Sequence, residues 1–535
     1  MSTFKWIRTF CWNYRWSLGI YLLLELISIF SGLIFILISK EVIDRAGGPD
    51  FQELFPLLAF LIIALFSGYA CSIYAARLNE ITRARMLNDL QTHISSSQAN
   101  AKTEFLLKYE TGDLLMRTSS DASEAVLMMG QSWITAILAF VRIIAALIIV
   151  GTFDFHLSLI LVLLCPLVLL SKTFFQKIKK LNRSLKEKEG EMTSILQENY
   201  KYRLYFRLLN WNEERNQMLE FSKNVIFKNK VELIDFTTKS KSLLGLVLQI
   251  GYLTTFIWGI WKLHSKEMSF GTLSALMLLL GRIQGPLISL MGIIPIMVRS
   301  WTSLERVIFS LQIKQEGKIK PVQLEDVQYL ELFKIRFAYG ENLVLNDFNS
   351  VFEKGKPTAI IGPSGKGKTT ILHLLMGLHK PLSGKVLIHT DRSTLIMSQN
   401  YRQNFAFVAQ GDYLLAGTVL YNLVGNKRSV PLEKINEALR MACAEFVFEL
   451  PMGLDTQIGE GGFGLSEGQG QRLSIARAIL QDRKIWLLDE ITSALDQEIR
   501  TRLVTNLLNS GKDKILIFVT HDKELESRCT KRIYL

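Results

Sequence analysis

Gly362-Pro-Ser-Gly-Lys-Gly-Lys368-Thr369, with the apolar run Thr358 to Ile361 before it and the helical run Thr370 to Gly377 behind it, decides how this chain is read. The octet satisfies the pattern G-x-x-x-x-G-K-[ST] of a phosphate-binding loop in full. Gly362, Gly365 and Gly367 let backbone N–H groups wrap phosphate oxygens, and the helix behind them turns its positive end toward the same oxygens. Pro363, Ser364, Lys366 and Thr370 complete the expected ATP-binding stretch, with Lys368 against the phosphates and Thr369 as a ligand of Mg²⁺. A glycine-rich turn without a ligand is the competing reading. It explains neither the strand before the loop nor the helix after it.

Toward the C-terminus, Ile485-Trp-Leu-Leu-Asp489-Glu490 reads as an apolar strand ending in two acids. Asp489 is the expected metal-side carboxylate, and Glu490 the expected general base or water-positioning residue. Buried strands often end in acids, so this motif is weak alone; behind a phosphate loop it is strong.

Toward the N-terminus the composition changes. The 535 residues are 49% hydrophobic, and the apolar runs are concentrated before about position 300. A bilayer span needs roughly 20 mostly apolar residues. Six stretches approach this: Trp16 to Ser39, Leu54 to Ala76, Trp133 to Phe153, a weaker one near Phe155 to Phe175, Ser242 to Trp261, and Ser269 to Val298. The long connections Arg77 to Ser132 and Lys172 to Lys241 lack Pro and are rich in Leu, Lys, Glu and Arg, so they read as helices that continue the spans into water. From about Lys314 the apolar runs shorten and Gly, Asp and Asn become frequent. The expected domains are therefore 1–313, helical and membrane-spanning, and 314–535, a soluble α/β domain.

Basic residues are about as dense in short as in long connections, so charge does not set orientation. Six spans return the chain to its starting side, and an ATPase belongs where ATP is; both termini are expected to be cytoplasmic, with the chain in the cytoplasmic membrane. The formal charge of +13 fits contact with anionic lipid better than a nucleic-acid partner. Cys11, Cys71, Cys165, Cys443 and Cys529 are scattered and read as free thiols. Lys5, Arg8 and Arg15 precede an apolar run too long for a cleaved signal, and further spans follow it.

Leu465-Ser466-Glu467-Gly468-Gln469, followed by Gln471-Arg472 and the helical run Leu473 to Leu480, resembles the signature of ATP-binding-cassette (ABC) proteins. Other matches stand in family order. Tyr339 resembles the aromatic that stacks on adenine, Gln410 the Q-loop glutamine, Ser493-Ala494-Leu495-Asp496 the D-loop, and His521 the switch histidine. In the first part of the chain, Thr111-Gly112-Asp113 with Arg117 and Asp121 resembles a coupling loop of ABC exporters, and Glu198 lies where the second coupling segment is expected. Gly271-Thr272 and Pro286 match the sixth span of that fold.

The resemblance implies a six-helix, all-α exporter-type transmembrane domain followed by an α/β P-loop ATPase with a helical subdomain. It implies catalysis by Glu490, His521 and Gln410, with Mg²⁺ held by Thr369, Gln410 and Asp489. It also implies a second half-transporter subunit, a homodimer in preference to a heterodimer, whose signature completes the ATP site. The cargo would be a lipid, peptide or drug-like molecule. An importer on the exporter fold and an ATP-regulated channel or sensor remain alternatives.

One position departs from the family. The third signature residue is usually Gly and here is Glu467, a carboxylate that would repel a γ-phosphate unless it points away. Glu25, Arg142 and Arg282 are ionisable residues inside apparent spans, where charge is costly. The arginines either line a cavity that favours an anionic group on the substrate, or pair internally with Glu25 or snorkel toward the membrane surface.

Overall fold

The computed structural model describes residues 3–46, 51–106, 109, 111–164, 172–317, 320–411, 414–426, 430–459, 462 and 464–535. The chain divides into two compact units, Met1–Ala101 with Leu106–Lys314, and Lys102–Phe105 with Gln315–Leu535.

The first unit is helical. Among the described residues five helices are long and apolar enough to cross a bilayer: Arg15–Arg45, Leu54–Ala99, Gly112–Phe153, Asn212–His264 and Phe270–Leu311. The 53 residues of Asn212–His264 extend roughly 80 Å at 1.5 Å per residue, well beyond a hydrocarbon core of about 30 Å. Long apolar helices thus continue as polar ones, as the Pro-free connections predict. The fourth expected span is described only in part. Phe155–Leu164 is helical and Lys172–Lys201 begins a further helix, while 165–171, with Cys165, lie outside the described residues.

Short turns are closed by carboxylates. Asp154 accepts from Trp258 Nε1 at 2.8 Å and from the Leu157 N–H at 3.1 Å, tying the shortest turn to a neighbouring helix. Asp44 accepts from the Gly271 N–H and from Ser269 Oγ, both at 2.8 Å, at the start of the last helix. A Cβ at Gly271 would stand 2.4 Å from the Lys40 carbonyl, so this crossing requires glycine.

The polar extensions carry an ion network. Glu124 binds Arg299, Lys186 at 3.1 Å and Ser303 Oγ at 2.5 Å. Asp121 lies 3.2 Å from Arg306 and 3.7 Å from Lys186, and Asp113 bridges Arg117 at 2.8 Å and Arg306 at 2.6 Å. Asp113, Asp121, Glu124, Lys186, Arg299 and Arg306 line a cavity of about 270 Å³. The helix bearing the acids relaxes into π-turns at Arg117–Asp121 and Met128–Ser132, which re-aim its side chains.

The second unit is built on a five-stranded parallel sheet in the order Lys531–Tyr534, Thr358–Ile361, Ile515–Val519, Ile485–Asp489, Phe405–Val408. Every residue of Ile485–Asp489 and Ile515–Val519 is buried, as strands covered on both faces require. One face packs against the phosphate-loop helix and an antiparallel sheet; the other packs on helices including Leu432–Met441 and Glu467–Leu480.

Truncating Glu124 would leave Lys186 and Arg299 without their shared acceptor, a loss of about 1–3 kcal/mol. The exposed Arg183–Glu187 pair is worth about 0–1 kcal/mol. In thermal unfolding of the detergent-solubilised protein, Glu124→Ala should lower the midpoint clearly and Glu187→Ala hardly at all. Equal shifts would show that the network contributes no more than a surface pair.

Candidate functional site

The buried strand Thr358–Ile361 delivers the chain into the phosphate loop. Gly365 and Gly367 take positive φ, +80° and +97°, and a Cβ at Gly367 would stand 2.6 Å from a Val344 methyl. This confines the loop to a backbone path that only glycine follows without strain. The helix Lys368–Leu375 starts at once behind it. Lys368, 7% exposed, turns its ammonium back over the loop and donates to the carbonyls of Gly362 at 2.7 Å and Pro363 at 3.1 Å. Its Nζ also lies 3.0 Å from His521 Nε2.

Asp489 ends its strand 2% exposed and accepts from Thr369 Oγ1 at 3.0 Å. Burial, and after it the charge of Glu490, pushes its carboxyl above the ordinary range, against the Thr369 hydrogen bond and the Lys368 charge. A buried carboxylate held at that cost beside a hydroxyl has the chemistry of a hard-cation site, so the residues present fit Mg²⁺. Glu490 follows in the left-handed region at φ +48°. Its carbonyl accepts from Gln471 Nε2 at 2.9 Å and Ser493 Oγ at 3.0 Å, which anchors this strained residue. Its carboxylate accepts from Gln410 Nε2 at 2.6 Å and lies 3.5 Å from His521 Nε2.

Lys368, Thr369, Asp489, Glu490, Gln410 and His521, spread through the sequence, therefore form one connected cluster. Tyr339 joins it through Thr370, with the two hydroxyls 3.5 Å apart.

The chain matches the family model for the ABC transporter transmembrane region over residues 18–287 and a second family model described as ABC transporter over 345–493. It belongs to the ABC transporter family. It is 24% identical to an ATP-dependent lipid A-core flippase of Pectobacterium atrosepticum over 90% of this chain and 84% of the relative. It is 27% identical to a multidrug resistance ABC transporter ATP-binding and permease protein of Lactococcus lactis subsp. cremoris, over 86% and 79%. The fold matches a bacterial Atm1-family ABC exporter with ATP bound at a TM-score of 0.84, with 19% identity, covering 97% and 93% of the two chains. The chain is thus an exporter-type half-transporter, an integral membrane protein that binds ATP and couples its hydrolysis to transport.

Within the signature, Leu465–Gln469 stand apart from this cluster, which the same helix reaches further on through Gln471. Ser466 caps the helix Glu467–Leu480 in a reciprocal capping box with Gln469, which satisfies two terminal backbone donors. Among the described residues no hydrogen bond or ion pair joins Leu465–Gln469 to the phosphate-loop cluster. A Cβ at Gly468 would fall 2.5 Å from the Ala494 carbonyl, so signature and D-loop touch through a glycine. Asp496 stands at the start of the next helix without a side-chain cap.

In the helical unit Arg142 donates to Glu25 at 2.8 Å, the internal pairing that the sequence left open. Arg282 lies against Gly32, where a Cβ would come within 3.1 Å of its Nη2, and has no ion pair among the described residues. Glu25 and Gly32 are about two turns apart on one helix, so both guanidinium groups reach the same face of it.

Sequence reasoning gave no role to Gln471, the anchor of the Glu490 carbonyl, although it stands in the signature run. It also passed over the aromatic turn beyond Glu198, where Tyr200, Tyr205 and Leu208 are exposed around the short helix Arg203–Leu208.

A methyl group forced against the Ala494 carbonyl costs about 1–3 kcal/mol. Gly468→Ala should lower both the thermal midpoint and phosphate release, while the neighbouring Glu467→Ala, at an exposed position, should leave the midpoint close to wild type. Indistinguishable midpoints would contradict the close approach.

Proposed function

We propose that residues 1–313 form the membrane domain and 314–535 a cytoplasmic ATPase, and that two such subunits, in the cytoplasmic membrane, close head to tail on two ATP molecules to drive export. The observation that carries this reading is the division of labour in the ATPase unit. The phosphate loop, acids, Gln410 and His521 are joined, while the capped signature is left over, suited to complete a partner's site.

In this reading the loop N–H groups and Lys368 bind the phosphates, and Tyr339 stacks on the base. Thr369, Asp489 and Gln410 would hold Mg²⁺, which would supply charge neutralisation at the phosphates. Glu490 orients the attacking water and receives its proton. His521 Nε2 is within reach of both Lys368 and Glu490 but serves one at a time: it accepts from the lysine or, protonated once the lysine turns to the phosphates, donates to the carboxylate and holds it in place. Gln410 exchanges its bond to Glu490 for the nucleotide site, a two-position element through which closure is sensed. Ser466 and the signature N–H groups of the partner subunit face the γ-phosphate.

The cargo reading is a lipid, peptide or drug-like molecule with an anionic group. Two relatives, named a lipid A-core flippase and a multidrug resistance transporter, support that range. The anionic preference rests on two guanidinium groups and one carboxylate gathered on a single helix face.

Glu490→Gln should cut ATP hydrolysis by about 100-fold or more and, with ATP, trap a closed dimer detectable by crosslinking. Hydrolysis at the wild-type rate would remove Glu490 from its role. In proteoliposomes, Arg282→Ala should reduce transport of anionic substrates more than that of cationic ones; an equal effect on both would refute the charge preference.

A further inference from the structure

His379 stands outside every motif quoted above, yet it is 4% exposed and hydrogen-bonded through Nε2 to the Tyr339 hydroxyl at 3.1 Å. Its position is set by the phosphate-loop helix. That helix ends at Gly377, in the left-handed conformation at φ +62°, with Gly377 N–H bonded to the Leu374 carbonyl at 2.9 Å and Leu378 N–H to the His373 carbonyl at 2.9 Å. This is the usual way a glycine stops a helix and turns the chain. The turn carries His379 back beside the helix, where its ring meets His373 at 5.3 Å, Phe337 at 5.2 Å and Tyr339 at 5.5 Å between centroids.

Tyr339 is held on two sides. Phe337 meets it at 90° and His379 at 86°, its hydroxyl also lies 3.5 Å from Thr370 Oγ1, and the residue remains 43% exposed. Among the described residues no ring lies parallel to it. Its phenol is therefore anchored to the helix that begins with Lys368 and Thr369, while the residue stays accessible.

We infer that His379 is a positioning residue for the nucleotide: by holding the Tyr339 phenol it ties the platform for the base to the helix that grips the phosphates. The inference rests on Tyr339 being that platform. A base and a triphosphate belong to one rigid-ended ligand, so their two sites must keep a set separation. A ring free to swing about its χ angles would lose that registration. A single rotor pinned by one hydrogen bond contributes about 0.5–1.5 kcal/mol, which corresponds to a change of roughly 2–10-fold in an equilibrium constant.

The test uses the full-length transporter in detergent or nanodiscs, with KM for ATP and kcat read from phosphate release. His379→Ala should raise KM roughly 2–10-fold with kcat little changed, and His379→Gln, which keeps a hydrogen-bonding group, should recover most of the loss. Tyr339→Phe, which also gives up the Thr370 contact, should raise KM at least as much as His379→Ala, and the double variant should match Tyr339→Phe. Should His379→Ala raise KM just as much in the Tyr339→Phe background, or lower kcat with KM unchanged, the histidine acts by supporting the fold and the inference falls. Tyr339→Ala separates the two readings: an unchanged KM there removes Tyr339 as the platform, whereas a raised KM with a silent His379→Ala removes only His379.

Discussion

A carboxylate buried at the end of a strand covered on both faces is the constraint on which the ATPase unit turns. Asp489 is 2% exposed on a strand with every residue buried. Charge in such a place is costly unless matched, and the match offered is a hydroxyl at 3.0 Å and a lysine whose charge is felt but whose ammonium is bonded elsewhere. The remaining polar groups form similar pairs: Lys368 with two loop carbonyls, Gln410 with Glu490. The bonds of Lys368, a buried ammonium, satisfy a group that burial would otherwise leave unpaired, whereas Gln410 is exposed and bonds Glu490 in competition with water. On the proposed reading of this cluster as the nucleotide site, entry of ATP would exchange these bonds rather than simply add to them. The free energy of binding then depends on rearranging the site, which is what a two-state machine needs from its ligand.

How much of this was legible follows from how local each determinant is. The phosphate loop is a contiguous pattern with a contiguous physical reason, and its flanking strand and helix were readable with it. The acids at Asp489 and Glu490 were readable as a strand end. The pairing of Gln410 with Glu490 was not, because the two residues come from neighbouring parallel strands whose order no local pattern states. Gln471 and His379 were harder still. Each reaches a distant element through its side chain, Gln471 a backbone carbonyl and His379 a phenol. A lone Gln or His in a helix or turn carries no signal of such a partner.

The helical unit shows the same division. Apolar length announces a span, and the Pro-free amphipathic connections announced their continuation. Which charges meet was beyond reach. Arg142 and Glu25 are 117 positions apart and join across two helices, whereas Arg282, on a third, finds the same helix face without an acid. The network around Glu124 likewise takes its members from three helices. Helix periodicity tells which face a residue occupies, not which neighbour that face will find.

The departure at Glu467 can be weighed on the same terms. At the first position of a helix an acid gains about 0.3–1 kcal/mol from the helix dipole, which a glycine there would forgo. Against this stands repulsion from a phosphate opposite, about 1 kcal/mol at 4 Å in water and about 4 kcal/mol at an effective dielectric of 20. Glu467 is exposed, so the local gain and the wet repulsion are comparable, and the balance turns on how much water leaves when a nucleotide is enclosed. Its neighbour has no such latitude. Gly468 lies against the Ala494 carbonyl, where any side chain collides with backbone rather than with solvent. Steric exclusion does not soften with hydration as charge repulsion does. Sterics therefore constrain position 468 more tightly than charge constrains position 467, and it is at 467 that this sequence departs from the pattern it resembles.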